Sequence, residues 1–85
     1  MPEEEKYEFL KTIYGIIVNT GTRVRINFKG ELYHKEGCIV DRYGYYLRVV
    51  FDGDKNVSIV YPLDLDFFIN NQWVLGIETR HSSQD

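Results

Sequence analysis

The chain has 85 residues, with 13 acidic side chains against 10 basic ones for a formal charge of −3, and a single cysteine. This length supports one domain, the lone thiol excludes an internal disulfide, and the acidic balance argues against a protein devoted to sequence-independent nucleic-acid binding, which draws on a dense Lys/Arg surface. No stretch approaches the roughly 18 apolar residues of a membrane span, and the acidic start is unlike a secretory signal, so the expectation is a cytoplasmic protein with no membrane association.

In chain order, Pro2 and the glutamates Glu3, Glu4 and Glu5 open a segment in which Tyr7, Leu10 and Tyr14 recur at three- and four-residue intervals. Proline suits a first helical turn and glutamate the positive end of a helix dipole, so a short helix is expected from about residue 3 to residue 11. Thr12 to Val18 is β-branched and contains Gly15, and reads as a strand. Asn19-Thr20-Gly21 would then be a hairpin loop pairing 13–18 with 23–28. The competing reading continues the helix to Val18 and uses Asn19 to Gly21 as its cap.

From Thr22 onward, short strands follow one another closely: Thr22 to Phe28, Gly37 to Arg42, Tyr45 to Phe51 and Asn56 to Tyr61. The turn chemistry of Lys29-Gly30-Glu31, Tyr43-Gly44 and Asp52-Gly53-Asp54 separates them. Val24, Ile26 and Phe28 alternate with Arg23, Arg25 and Asn27, the mark of a half-buried strand. Tyr45, Leu47, Val49 and Phe51 share one face, and Val57, Ile59 and Tyr61 alternate with Ser58 and Val60. Pro62 ends that strand. Leu63 to Phe68 is expected to form a single helical turn, Asn70-Asn71-Gln72 a turn, and Trp73 to Thr79 the last strand. Residues 80–85 hold no apolar side chain and are expected to be disordered, leaving 1–79 as the single domain with its N-terminal helical extension. Strands so short and so closely spaced predict a mainly β fold, a small barrel of about five strands.

Gly21-Thr22-Arg23-Val24-Arg25-Ile26, Glu36-Gly37-Cys38-Ile39-Val40, Leu47-Arg48-Val49-Val50-Phe51-Asp52-Gly53 and Tyr61-Pro62-Leu63-Asp64-Leu65 together resemble the SH3-like small β-barrel superfamily. The order is similar to KOW and Tudor modules and to the PsaE-type and NdhS-type accessory barrels of photosynthetic complexes, and it spans about half of the 85 residues. The resemblance implies a fold and a binding role more than any ligand. A KOW module on RNA would be basic around its first loop, whereas Lys29-Gly30-Glu31 and His34-Lys35-Glu36 are mixed in sign. A Tudor-like cage would draw on Tyr43, Tyr45, Tyr46 and Asp52.

No catalytic constellation stands out. His34 and Cys38 lack the third partner that a thiolate nucleophile or a zinc site needs, and Cys38 reads as a small core thiol. Asp64 and Asp66 read as capping or solvated carboxylates. The tyrosines invite base stacking or cation capture, but cross-strand packing is the simpler account, with Tyr45 buried and Tyr43 and Tyr46 exposed. Arg23, Arg25 and Arg48, with Lys29, Lys35 and Arg42 nearby in sequence, would offer guanidinium groups on one surface if their strands are neighbours. The Trp73, Val74, Leu75, Ile77 strand either closes the barrel or leaves an edge for a partner. The resulting expectation is a non-catalytic module that docks on a protein through barrel loops and a strand edge, with Arg23, Arg25, Tyr43, Tyr46 and Arg48 as contact residues and with no metal or cofactor. A nucleic-acid or ribonucleoprotein-associated barrel using the same positions is the alternative, and an edge-mediated homodimer is compatible with either.

Overall fold

A computed structural model describes residues 3–76, with side chains from Glu5 onward. Its first element is the helix that the glutamate-rich start favours, in two segments, α1 (Glu3–Lys6) and α2 (Glu8–Tyr14), joined at Tyr7. The Tyr7 ring is buried, and its hydroxyl shares a 2.7 Å hydrogen bond with that of Thr20, tying the helix to the chain entering the sheet. Gly15 ends the helix in the left-handed conformation that only glycine adopts freely (φ 71°, ψ 21°), and its N–H donates to the Lys11 carbonyl.

The strand expected over Thr12 to Val18 is not formed. The helix takes Thr12, Ile13 and Tyr14, stops four residues short of the longer helical reading, and leaves Ile16 to Val18 running on without a strand partner among the described residues. Propensity differences of a few tenths of a kcal/mol lose here to the packing of Leu10 and Tyr14 against the core.

Six strands follow among the described residues: β1 (Arg23–Ile26), β2 (Glu36–Tyr43), β3 (Tyr46–Phe51), β4 (Ser58–Val60), β5 (Leu65–Ile69) and β6 (Gln72–Val74). They form one antiparallel sheet in the order β4-β3-β2-β1-β5-β6. β1 is flanked by β2 and β5, so it has no free edge for the hairpin expected with residues 13–18. No ladder joins β4 to β6, and the sheet is open where the strand spacing predicts a closed barrel. The helix provides the cover that closure would have provided. Tyr7, Phe9 and Leu10 enter the same core as Val24, Ile26, Ile39, Leu47, Val49, Phe51, Leu65 and Phe67. No helix among the described residues is long and apolar enough to cross a membrane.

Leu63 to Phe68 divides differently from the expectation. A 3-10 turn occupies Pro62–Asp64, and β5 begins at Leu65. Asn70 and Asn71, both left-handed (φ 53° and 64°), make the two-residue hairpin turn into β6. β6 covers the start of the expected Trp73 to Thr79 strand, while residues 77–79 and the tail 80–85 lie outside the described residues.

Alternation holds in β1 and β3, where Val24, Ile26, Leu47, Val49 and Phe51 point inward. A side chain at Gly37 would meet the Val50 carbonyl and lie 2.7 Å from the Phe51 Cα, so glycine is required where β2 and β3 come closest. The register of β2 shifts between Ile39 and Asp41, a bulge that leaves Val40 exposed. One facing expectation is reversed. Tyr45 lies in the β2–β3 turn and is 65% exposed, its ring tilted against Phe9 at 5.7 Å between centroids. In β4, Ile59 stands opposite Arg48, on the outward parity of β3, so Val57, Ile59 and Tyr61 are exposed while Val60 packs on the core.

Leu10 is fully buried at the helix–sheet contact. Leu10→Ala is therefore expected to destabilise the protein by about 2–5 kcal/mol in urea unfolding, the range for a truncated core leucine.

Candidate functional site

The face of the sheet turned away from the helix carries every contact residue expected from the sequence. Period two explains this: Arg23 and Arg25 alternate with buried Val24 and Ile26, and Tyr46 and Arg48 alternate with buried Leu47 and Val49. Cys38 stands opposite both Arg23 and Val50, and Asp41 opposite Arg48, which aligns the outward rows of β1, β2 and β3. The face nevertheless divides into two halves of different chemistry.

On the half formed by β1, β5, β6 and the start of β2, the arginines are committed to carboxylates. Arg23 grips Asp52 through two hydrogen bonds, Nη1 to Oδ1 at 3.1 Å and Nη2 to Oδ2 at 2.7 Å. It also donates to Glu36 Oε1 at 3.1 Å and to the Cys38 sulfur at 3.4 Å. Bonds to Asp52, then Cys38, then Glu36 raise the already high pKa of the guanidinium. The same contact with Arg23 holds the Asp52 carboxyl below its usual value of 3.8, against a smaller opposing effect of desolvation.

Arg25 donates from Nε to Asp66 Oδ2 at 2.9 Å, and its guanidinium carbon lies 4.3 Å from the centroid of Trp73. Asp66 is 4% exposed, which overturns its reading as a capping or solvated carboxylate. It also accepts from Asn27 Nδ2 at 3.4 Å and from the Gly76 N–H at 3.3 Å, so one carboxylate ties β1, β5 and the chain beyond β6 together. Phe68 and Trp73 pack at 5.1 Å between centroids and, with Arg23 and Glu36, line a cleft of about 270 Å³.

The other half, formed by β3, β4 and the end of β2, is aromatic. Tyr43 stands opposite Tyr46 at the hairpin, and Tyr46 meets Tyr61 edge to face at 5.7 Å. Ile59 lies beside Arg48 and is 52% exposed. The guanidinium carbon of Arg48 sits 5.2 Å from the Tyr43 ring centroid. Its Nε–H is buried and has no hydrogen-bond partner, and Arg48 forms no ion pair among the described residues. Asp41, directly opposite, accepts the Arg42 N–H at 2.8 Å and pairs with Lys6 at 3.5 Å; the Arg42 N–H first, then Lys6 and last the charge of Arg48 hold its carboxyl below the usual range.

The structure thus brings Tyr43, Tyr46 and Arg48 together and sets Arg23 and Arg25 apart from them. The wider basic set is dispersed, with Lys35 on Asp54 at 3.2 Å and Arg42 on the Lys6 and Gly44 carbonyls. A Tudor-like cage is not assembled, because Asp52 is held by Arg23 and the protein's own Arg48 lies over Tyr43. His34 stacks on Tyr33 at 3.8 Å, and Cys38, half-buried, faces outward rather than into the core. Ile59 and Tyr61 join the aromatic half; their alternation alone does not say which way the row faces, and the register of Ile59 with Arg48 does.

No protein-family model matches the chain, and no curated protein matches it in sequence.

Asp66→Ala leaves the Arg25 guanidinium half-buried and unpaired and is expected to cost about 1.5–3 kcal/mol in urea unfolding. Asp52 is more acidic folded than unfolded, so its contribution to stability is complete above its usual value of 3.8 and is lost as pH falls through the lower folded value. Unfolding measured between neutral and strongly acidic pH should show that loss in the native protein, and Asp52→Asn should flatten it.

Proposed function

We propose that this protein is a non-catalytic binding module that docks a protein partner on the aromatic half of its outer face and along the open edge of β4. The observation that carries the proposal is the continuous exposed row Tyr43, Tyr46, Tyr61 and Ile59 beside an unpaired strand edge. Solvent-facing strands at a sheet edge ordinarily carry charge, which discourages pairing, whereas β4 and its flanks, residues 56–61, carry none. Exposed tyrosine is also the side chain that interfaces favour, because it supplies a large rigid surface with a polar tip.

An SH3-like reading of the fold belongs to the same proposal. Its support is the meander β1 to β4, the 3-10 turn at Pro62–Asp64, and the return of β5 beside β1. The nucleic-acid alternative is weakened by charge. Arg23 and Arg25 would have to release Asp52, Glu36 and Asp66 before meeting phosphate, on a chain whose net charge is −3.

Affinity purification with and without nuclease tests the reading. A partner protein should co-purify regardless of nuclease, be lost with Ile59→Lys, and be retained with Ile17→Lys, an exposed change in the connector after α2. Both substitutions should alter stability by less than about 0.5 kcal/mol, as surface changes do. Nuclease-sensitive recovery, or equal binding by native and Ile59→Lys proteins, would defeat it.

A further inference from the structure

Resting on that reading, we infer that the docked partner is an acidic peptide segment, with a carboxylate seated against Arg48. Four arginines lie among the described residues. Three have dedicated acceptors: Asp52 and Glu36 for Arg23, Asp66 for Arg25, and the Lys6 and Gly44 carbonyls for Arg42. Arg48 has none among the described residues, and its Nε–H is buried without a partner. A guanidinium without an acceptor beside an exposed aromatic row is a cation open to a second molecule, which would reach its Nη groups, the Nε–H being covered.

The geometry suits a carboxylate. A guanidinium lying over a tyrosine ring keeps its in-plane Nη–H groups for a two-oxygen acceptor, and Arg48 lies 5.2 Å from the Tyr43 centroid. Tyr43, Tyr46, Ile59 and Tyr61 carry no charge, so on their side of Arg48 a bound carboxylate would meet one cation in an apolar frame, with the opposing charge of Asp41 on the β2 side. Its natural rival, Asp41, takes Lys6 and the Arg42 N–H on Oδ1 and reaches Arg48 only through a minor charge attraction, with no hydrogen bond between them. The apolar frame in turn calls for apolar residues flanking the acid, at the alternate positions of an extended segment.

A second copy of this chain fits poorly. Pairing β4 with β4 would bring residues 56–61 to the patch, Asn-Val-Ser-Ile-Val-Tyr, which contain no carboxylate, and would leave both Arg48 groups unanswered.

The test is selection of short random peptides displayed on phage against the full chain, followed by titration of the enriched peptides. Enriched sequences should carry Asp or Glu flanked by apolar residues. Arg48→Gln, shown to be folded by circular dichroism, should bind them about 10- to 100-fold more weakly, the range for a hydrogen bond to a charged group. Changing the peptide Glu to Gln should cost the native protein as much, and combining both changes should cost little more than either. Arg48→Glu should instead enrich peptides bearing Lys or Arg.

Enriched peptides without acidic residues, bound equally by native and Arg48→Gln proteins yet lost with Ile59→Lys, would overturn the carboxylate inference and leave the docking surface standing. Peptides bound equally by the Ile59→Lys protein would remove both. Strong coupling of Arg48 to Asp41 in a double-mutant unfolding cycle would overturn the inference by exposing an internal partner. So would a concentration-dependent dimer abolished by Ile59→Lys, or steeply salt-dependent, Arg48-dependent binding of a uridine oligomer.

Discussion

Burial of one sheet face under the N-terminal helix is the constraint on which the remaining structure depends. Tyr7, Phe9 and Leu10 meet the inward rows of β1, β2, β3 and β5, and side chains alternate along each strand, so this contact decides which residues face outward. A slip of one position in β3 would bury Tyr46 and Arg48 and expel Leu47 and Val49. Each fully buried aliphatic side chain contributes about 1.5–3 kcal/mol, so a row of them outweighs any local preference of the outward residues.

Once placed outward, the charged side chains follow a second rule, that an ion removed from water needs a partner. Arg25 and Asp66 illustrate it on the buried side of the surface, where the carboxylate accepts from a guanidinium, an amide and a backbone N–H at once. Arg23 and its two carboxylates illustrate it nearer to water. These networks commit Arg23 and Arg25 to internal cohesion and leave Arg48 as the outward arginine of β1 and β3 without an ion pair among the described residues. Arg48 departs from the rule, and it does so beside the exposed tyrosines Tyr43, Tyr46 and Tyr61, on the strand pair nearest an open edge.

Legibility in the sequence tracked how local each decision was. The β1 and β3 alternation and the turn at Tyr43-Gly44 rest on chemistry within a few residues and could be read directly. The helix reached Tyr14 because Leu10 and Tyr14 had a core to pack on, which no local propensity contains. β5 escaped notice because Pro62 and the two aspartates suggest a helical turn, and Asp66 becomes intelligible in a strand only when Arg25, Asn27 and Gly76 are beside it. The face of β4 was not legible for a related reason: three apolar residues in alternation announce a strand, but its pairing register with β3 decides which set is covered.

By itself, then, the sequence determined that the protein would be a small, mainly β structure with a short leading helix, punctuated by glycine turns, and that Arg23, Arg25, Tyr46 and Arg48 would each alternate with the apolar row of its own strand. Those properties follow from side-chain period and turn conformation, both of which act over a few neighbouring residues. Tertiary structure alone decided that the sheet stays open under a helix, that two of those arginines are held by Asp52, Glu36 and Asp66, and that Arg48 is left among tyrosines. Electrostatic pairing and coverage depend on which distant residues meet across strands, and that is a property of the assembled sheet.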